Sequence, residues 1–199
     1  MAGAAPPGAR ERILDVAARL FYDNGIRAVG MKRIIDEAGT GKSLLYGSFA
    51  TKDELVEAYL ERAGARLVPS ASRARDAAGE DPGDQLVAIV TDVGHRVLRP
   101  GGRGCPFRNY LVEFPDDRSG PGLLARRTLA DSRAVIEQLS REHAGERDGA
   151  VLAEQIALIV DGLFAQAARR DQVGGDPPVA GVLAAVELAR TLVGERRRP

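Results

Sequence analysis

The feature that most restricts the fold of this 199-residue chain is the spacing of its apolar residues, which recur at three- and four-residue intervals almost throughout. No segment alternates apolar and polar residues strictly enough, for long enough, to read as a strand. A period of 3.6 lines such residues along one face of a helix, so the chain is expected to be all-α. Ile13, Leu14, Ala17, Leu20 and Phe21 make the inner face of a first helix, and Asn24-Gly25-Ile26 ends it as a left-handed glycine cap followed by an apolar residue would. Met31, Ile34, Ile35 and Ala38 face inward on a short second helix that stops at Gly39. A third short helix carries Leu45 and Tyr46, and Thr51-Lys52-Asp53-Glu54 is a capping box opening a longer fourth, with Leu55, Tyr59, Ala63 and Leu67 inward.

The polar, Ala/Gly-rich stretch from Ala71 to Gly83 reads as a boundary. Beyond it, Asp81-Pro82 is a cap followed by a first-turn proline, and Leu86, Val90, Val93 and Val97 form the stripe of a fifth helix ended by Pro100-Gly101-Gly102. Cys105-Pro106 opens a short sixth helix that Pro115 closes, and Leu124, Leu129, Val135, Ile136 and Leu139 mark a seventh. The last two segments, 152–168 and 179–193, are apolar around more than one face. A stripe that wide calls for a partner beyond its own core. Leu152, Ile156, Ile159 and Leu163, with Val182, Val186, Ala189 and Val193, are therefore read as a homodimer interface, burial within one protomer being the alternative. The Arg196-Arg197-Arg198 run is expected to be a frayed tail.

Composition removes several classes of function. Lys plus Arg and Asp plus Glu number 28 each, so net charge offers no global argument for nucleic acid. Locally, Arg27, Lys32, Arg33 and Lys42 outnumber Asp36 and Glu37 between positions 27 and 48, a weak positive bias. One cysteine, Cys105, excludes an internal disulfide, and with only His95 and His143 beside it no Cys/His metal cluster is available. No cofactor is expected. The first residues lack a basic start and an apolar core, and the longest aliphatic runs, Leu86 to Val90 and Ile156 to Val160, are too short to span a bilayer, which points to the cytoplasm and no membrane partner.

Gly39-Thr40-Gly41-Lys42-Ser43 looks at first like the end of a nucleotide-phosphate loop. Such a loop needs a glycine at position 36 and a buried strand before it. Position 36 is Asp36, and residues 31–38 have a helical period. The alternative is two short helices joined by a glycine turn, a helix-turn-helix, whose second helix enters the major groove of DNA. Ile34, Ile35, Ala38, Leu45 and Phe49 would pack inward, leaving Lys42, Ser43, Leu44, Gly47 and Ser48 outside. Exposed N–H groups at that helix start, with Lys42 beside them, suit a phosphate or a guanine edge. Pattern alone leaves open a plain helical bundle with a solvated lysine.

The combination of Ile13 through Phe21, Gly25, Ile34 or Ile35, Ala38-Gly39, Leu45-Tyr46-x-x-Phe49 and Lys52 with Leu55 resembles, across about 50 residues, the N-terminal domain of the tetracycline-repressor (TetR) family of transcriptional regulators. The resemblance implies an N-terminal three-helix helix-turn-helix DNA-binding domain over residues 1–52, a linking helix and connector over 53–80, and a larger helical ligand-binding and dimerisation domain over 81–199. It further implies a homodimer on a palindromic double-stranded operator, released by a small-molecule effector. By position, Lys42, Ser43, Leu44, Gly47 and Ser48 fall on the recognition surface, Tyr46 contacts phosphate and packs the helix, and Lys52, Lys32 and Arg33 contact the backbone. Two departures matter: Gly41 stands where the family usually caps with Ser or Thr, and Leu44 where it usually has Thr. The aromatic or histidine usual after Tyr46 is Gly47, so no relative's operator sequence carries over.

In the larger domain, Gly104-Cys105-Pro106-Phe107-x-Asn109 followed by Glu113 resembles one subgroup of the same family. Phe107, Tyr110 and Phe114 are candidates to line a pocket with Val90, Val93, Leu129 and Phe164, ordinary core being the alternative. His95, Asn109, Glu113 and Asp161 are the polar groups that would orient a ligand there. Cys105, at a helix start, is the candidate oxidant-sensing thiol, although position alone does not make a thiol reactive. No enzyme constellation is seen, and Asp116-Asp117 reads as an exposed turn without a partner. A second class stays open on the residues: a helical small-molecule-binding or enzymatic module in which the helix-turn-helix is only structural.

Overall fold

In the computed structural model, residues 8–99, 101–173 and 179–196 are described, the side chains of 168–173 excepted. Pro100, Arg197 and Arg198, to which the sequence assigned a helix end and a tail, lie outside them. The described residues form eight helices: α1 (Ala9–Asn24), α2 (Met31–Ala38), α3 (Lys42–Ser48), α4 (Lys52–Ala77), α5 (Pro82–Leu98), α6 (Pro106–Glu113), α7 (Gly120–Val173) and α8 (Val179–Gly194). The two helices expected between residues 120 and 173 are both present within α7, separated by a break at Gly145 (φ 79°, ψ −178°), a backbone conformation that only glycine adopts without strain. The chain is all-helical, as its periodicity requires.

The chain divides into two compact units, Met1–Ala65 with Pro106–Thr128, and Arg66–Cys105 with Leu129–Pro199. This grouping differs from the one read from sequence. Residues 106–128, assigned by sequence to the larger domain, belong with the N-terminal helices, and the expected connector from Ala71 is helical as far as Ala77. Residues 71–77 are polar but rich in Ala and Arg, both good helix formers, so the helix continues until Gly79, at φ 86°.

In the first unit the stripe read from sequence is the core face of α1: Ile13, Leu14, Ala17, Leu20 and Phe21 are all buried. Ile34 of α2, Leu45 of α3, Phe49 and then Leu55, Tyr59 and Leu60 of α4 are buried too, and the Phe21 and Tyr59 rings meet at 5.7 Å in a tilted pair. Burying a side chain of that size contributes about 1.5–3 kcal/mol. Thr51 caps α4 through its Oγ1, which accepts from the Glu54 amide at 3.1 Å, while Glu54 reaches back to the Ala50 amide at 2.7 Å. Arg62 of α4 pairs with Glu11 and Asp15 of α1.

The second unit packs α5 and α8 against the later part of α7 around Leu86, Val90, Leu152, Ile156 and Leu163. Asp81 caps α5 by accepting from the Gly83 and Asp84 amides. Gly94 lets α8 approach: a Cβ there would lie 2.5 Å from Val182 Cγ1. His143 is buried and its Nε2 lies 3.0 Å from the Val193 carbonyl oxygen. The eight residues expected at a dimer interface are turned into this core or against it. Leu152, Ile156, Leu163, Val182, Ala189 and Val193 are buried, and Ile159 and Val186 pack half-buried beside them. On these helices the apolar repeat lies on the face turned to the chain's own core. Among the described residues, the large apolar side chains left exposed on α8 and on the part of α7 after Gly145 are Val151 and Leu158 of α7 and Val179, Leu183 and Leu188 of α8. By length and composition α7 is apolar enough to cross a bilayer, but Leu152, Ile156 and Leu163 spend that apolarity on the core.

Candidate nucleic-acid interface

The segment from α2 to α3 is a helix-turn-helix built on one glycine. Gly39 adopts φ 58°, ψ 40°, the left-handed conformation that ends α2, and the turn closes with Thr40 N–H donating to the Ile35 carbonyl at 3.1 Å and Gly39 N–H to Asp36 at 3.4 Å. That pair of bonds is a Schellman closure, which satisfies the last carbonyls of α2. Gly41 then serves as the N-cap of α3 in an extended conformation without a side-chain bond, so the first amides of α3 have no cap. Leu45 and Phe49 anchor α3 beneath, both fully buried, and the Arg10 guanidinium lies 4.4 Å from the Phe49 ring centre.

Anchoring Leu45 and Phe49 turns the other face of α3 outward. Lys42, Ser43, Tyr46 and Gly47 are exposed, and Leu44 and Ser48 half-buried. Lys42 Nζ lies 5.9 Å from the Tyr46 ring centre one turn on, which gives the lysine a preferred direction along the helix. Tyr46 was expected both to pack and to touch phosphate; at 41% exposed it is chiefly a surface residue. Ser48 spends its hydroxyl proton on the Leu44 carbonyl at 2.8 Å. Gly47 leaves open space where a Cβ would stand.

The flanking bases are not equivalent. Lys32 is exposed at the start of α2. Arg33 donates from Nε to Glu37 at 2.9 Å, and Arg19 of α1 reaches the same carboxylate at 2.7 Å. Those two hydrogen bonds, Arg19 first, hold Glu37 below the usual carboxylate range and brace α2 on α1. Lys52 donates from Nζ to the Ile26 carbonyl at 2.6 Å. Partial burial lowers its pKa, against the opposing pull of Glu113 and Asp53. Much of its charge thus serves the turn between α1 and α2.

The residues expected to line a ligand pocket are divided between the two units. Phe107, Asn109, Tyr110, Glu113 and Phe114 fall in the first; Val93, His95, Asp161 and Phe164 fall in the second. Phe107 is buried, 3.6 Å from where a Cβ on Gly64 of α4 would stand. Tyr110 stacks on Phe114 at 5.0 Å and donates its hydroxyl proton to Asp117 at 2.5 Å. Asp117 is therefore no idle turn residue: it also accepts from the Ser119 amide and hydroxyl. Asn109 is half-buried on α6. Val93 belongs to the core of the second unit, and Phe164 lies half-buried beneath the Arg96 guanidinium at 5.9 Å. His95 is exposed in an open groove with Thr91, Val182 and Arg190, and Asp161 is exposed. Cys105 is buried, which shields its thiol from oxidants.

Glu113 departs furthest from its expected role. Its Oε1 accepts from the Ile26 amide at 3.0 Å and its Oε2 from the Arg27 amide at 2.7 Å, so the carboxylate grips the turn between α1 and α2. Sequence reasoning missed this because the partners are backbone amides 87 and 86 positions away. The nearest signal was Gly25, which at φ 85° would bring any Cβ to 3.1 Å from Glu113 Oε1.

A helix-turn-helix whose second helix is anchored from below and polar above defines the class: a DNA-binding regulatory protein. Residues 13–59 match the family described as bacterial regulatory proteins, tetR family. The transcriptional regulator BetI of Brucella anthropi is 27% identical over 201 residues, 96% of each chain. The transcriptional activator FasR of Mycolicibacterium smegmatis is 40% identical over 65 residues, 33% of this chain and 30% of that one. Among solved structures, a TetR-family transcriptional regulator from Streptomyces coelicolor superposes with a TM-score of 0.84 at 26% identity, over 96% of each chain. A TetR regulator from Chloroflexus aurantiacus shares the fold at a TM-score of 0.78 and 22% identity, over 96% of each chain. Residues 13–59 thus match the N-terminal domain of the tetR family of bacterial regulatory proteins, and over its length the chain has the fold of TetR-family transcriptional regulators.

Proposed function

We propose that this regulator is a cytoplasmic, homodimeric repressor that holds a palindromic operator with the α3 helix of each protomer and releases it when a small molecule binds the part of the chain after residue 80. The observation that carries the reading is the outward face of α3, where Lys42, Ser43, Tyr46 and Gly47 are exposed while Leu45 and Phe49 secure the helix. Lys42 and Ser43, at the helix start, meet base edges or phosphate, and Leu44 offers methyl groups to a thymine. Gly47 and Ser48 form the low part of the surface, where the groove floor comes near. Tyr46 contacts the phosphate backbone, with Lys32 and Arg33 beside α2 and Lys52 through the turn it holds.

Dimerisation is assigned to the exposed side chains Val151, Leu158, Val179, Leu183 and Leu188, on the helices that the sequence selected but on their other face. Two recognition helices then read successive major grooves about 34 Å apart. An effector acts through its differential affinity for a state with a different separation. One relative over the N-terminal region is named a repressor, KstR2 of Mycolicibacterium smegmatis at 36% identity over 55 residues, and another, FasR, an activator; repression is therefore read out directly.

Selection of sites from random double-stranded DNA tests the whole reading. The expected result is a two-fold symmetric site whose affinity falls steeply with salt and is lost in Lys42→Ala/Tyr46→Ala. Binding that ignores sequence and survives that double substitution would sink it. Transcription from a promoter carrying the selected site then gives the sign of regulation.

A further inference from the structure

The turn between α1 and α2 is held by local and by distant groups. Locally, the Gly25 amide donates to the Phe21 carbonyl at 3.0 Å and Val29 to Ile26 at 3.3 Å. On top of these, two charged side chains from distant elements grip a single residue. The Ile26 amide donates to Glu113 of α6 and its carbonyl accepts from Lys52 of α4. The Arg27 amide takes the second Glu113 oxygen, and the Arg27 guanidinium lies 4.7 Å from the ring centre of Phe114, the next residue along.

The grip is bidentate and braced from behind. Each carboxylate oxygen takes one of two consecutive amides, which fixes orientation as well as distance, and hydrogen bonds to an ionised acceptor are the stronger kind. Phe114 is backed by Tyr110, and Tyr110 is tied through its hydroxyl to Asp117 and hence to the start of α7. Gly25 completes the fit: its φ of 85° favours glycine, and a Cβ there would stand 3.1 Å from Glu113 Oε1, tighter than an ordinary contact. The segment that supplies Glu113, residues 106–128, is bounded in the chain on both sides by residues of the second unit. What it grips is the loop leading directly into the helix-turn-helix.

We propose that Glu113 is a positioning residue for operator reading: by clamping the turn between α1 and α2 it sets the attitude of the helix-turn-helix, and so the half-site spacing the protein accepts. The bases read within each half-site belong to α3 and are independent of the clamp. This inference rests on the dimeric, palindrome-binding reading above for its spacing consequence, though not for the clamp itself.

Two measurements on the full chain, wild type and Glu113→Gln, test it. Amide hydrogen exchange at Ile26 and Arg27 reads the clamp directly; glutamine keeps one neutral acceptor oxygen and sets an NH2 donor against the other amide, so one bond is weakened and the other lost, and exchange there should be about tenfold or more faster, with Leu20 and Phe21 unchanged. Operator selection from random DNA with variable spacers reads the consequence. The variant should enrich the same half-site bases as wild type over a wider range of spacings. Unchanged exchange would overturn the clamp, and faster exchange with an unchanged spacing range would overturn its positioning role. A uniform loss of affinity for every site, in step with a lowered Tm, would reduce Glu113 to a structural residue. Should wild type itself enrich sites with no two-fold pattern, the dimeric reading falls and takes the spacing consequence with it, while the exchange arm still decides the clamp.

Discussion

At the scale of single residues, Asp117 and Gly47 show how much a side chain, or its absence, decides. Asp117 accepts from the Tyr110 hydroxyl and from the Ser119 amide and hydroxyl, and these bonds, Tyr110 first, bring its pKa from 3.8 to about 2. Burial acts on Tyr110 in the other direction, together with the same carboxylate, and its hydroxyl stays protonated far above the usual tyrosine range. A carboxyl depressed on folding stabilises the native state above its unfolded pKa and loses that contribution as pH falls through the folded value. Asp117→Asn is therefore expected to cost about 1 kcal/mol at neutral pH, after allowance for solvent screening. The difference from wild type should close in urea unfolding as pH falls from about 4 to about 2, between the unfolded and folded pKa values of Asp117. Gly47 is the opposite case, a helix position with nothing within 4 Å of where a Cβ would be. Gly47→Ala should raise stability by about 0.5–1 kcal/mol, since glycine is a poor helix former, while narrowing the set of bases tolerated opposite that position. Thermal unfolding and operator selection on the same variant separate the two effects.

At the scale of elements, the helix starts are unequally reinforced: Thr51 and Asp81 cap α4 and α5, whereas α2 and α3 have no side-chain cap. Both α2 and α3 start from a glycine, Gly30 and Gly41, in extended conformation with no side-chain cap and open space at the Cβ position. Gly41→Asp would supply the missing cap to α3, with a gain of a few tenths of a kcal/mol over glycine. It would also place a negative charge against DNA phosphate, so operator affinity should drop and the drop should shrink as salt rises; Gly41→Ser should gain the cap without that loss. Titration of the selected operator at two salt concentrations checks both. Where helices cross closely the reverse holds. At Gly94 of α5 a Cβ would stand 2.5 Å from Val182 Cγ1, so Gly94→Ala should destabilise by about 1–3 kcal/mol through forced separation of α5 and α8. Urea unfolding measures that cost.

At the scale of the whole molecule, the question is which apolar faces the chain buries in itself and which are left for the proposed dimer to cover. Leu158 is 68% exposed on α7 and Leu183 65% exposed on α8, whereas Leu152 and Ile156 are fully buried. If the proposed dimer forms through this face, Leu158→Glu with Leu183→Glu should give a folded monomer with weakened operator binding, while Leu152→Glu should unfold the chain; sedimentation and circular dichroism tell these apart. By itself, the sequence determined the all-helical class, the inner face of α1, the Asp81 cap, the break before α3 and the outward set from Lys42 to Ser48, because each depends on neighbours within about two helical turns. Only the tertiary structure decided that residues 106–128 join the N-terminal unit, that Glu113 and Lys52 hold the turn around Ile26, and that the final apolar stripes point into the protomer's own core. The physical reason is the same in each case. A helical repeat specifies that one face must be buried but not against what, and a carboxylate 86 residues from the amide it accepts leaves no local trace in the sequence.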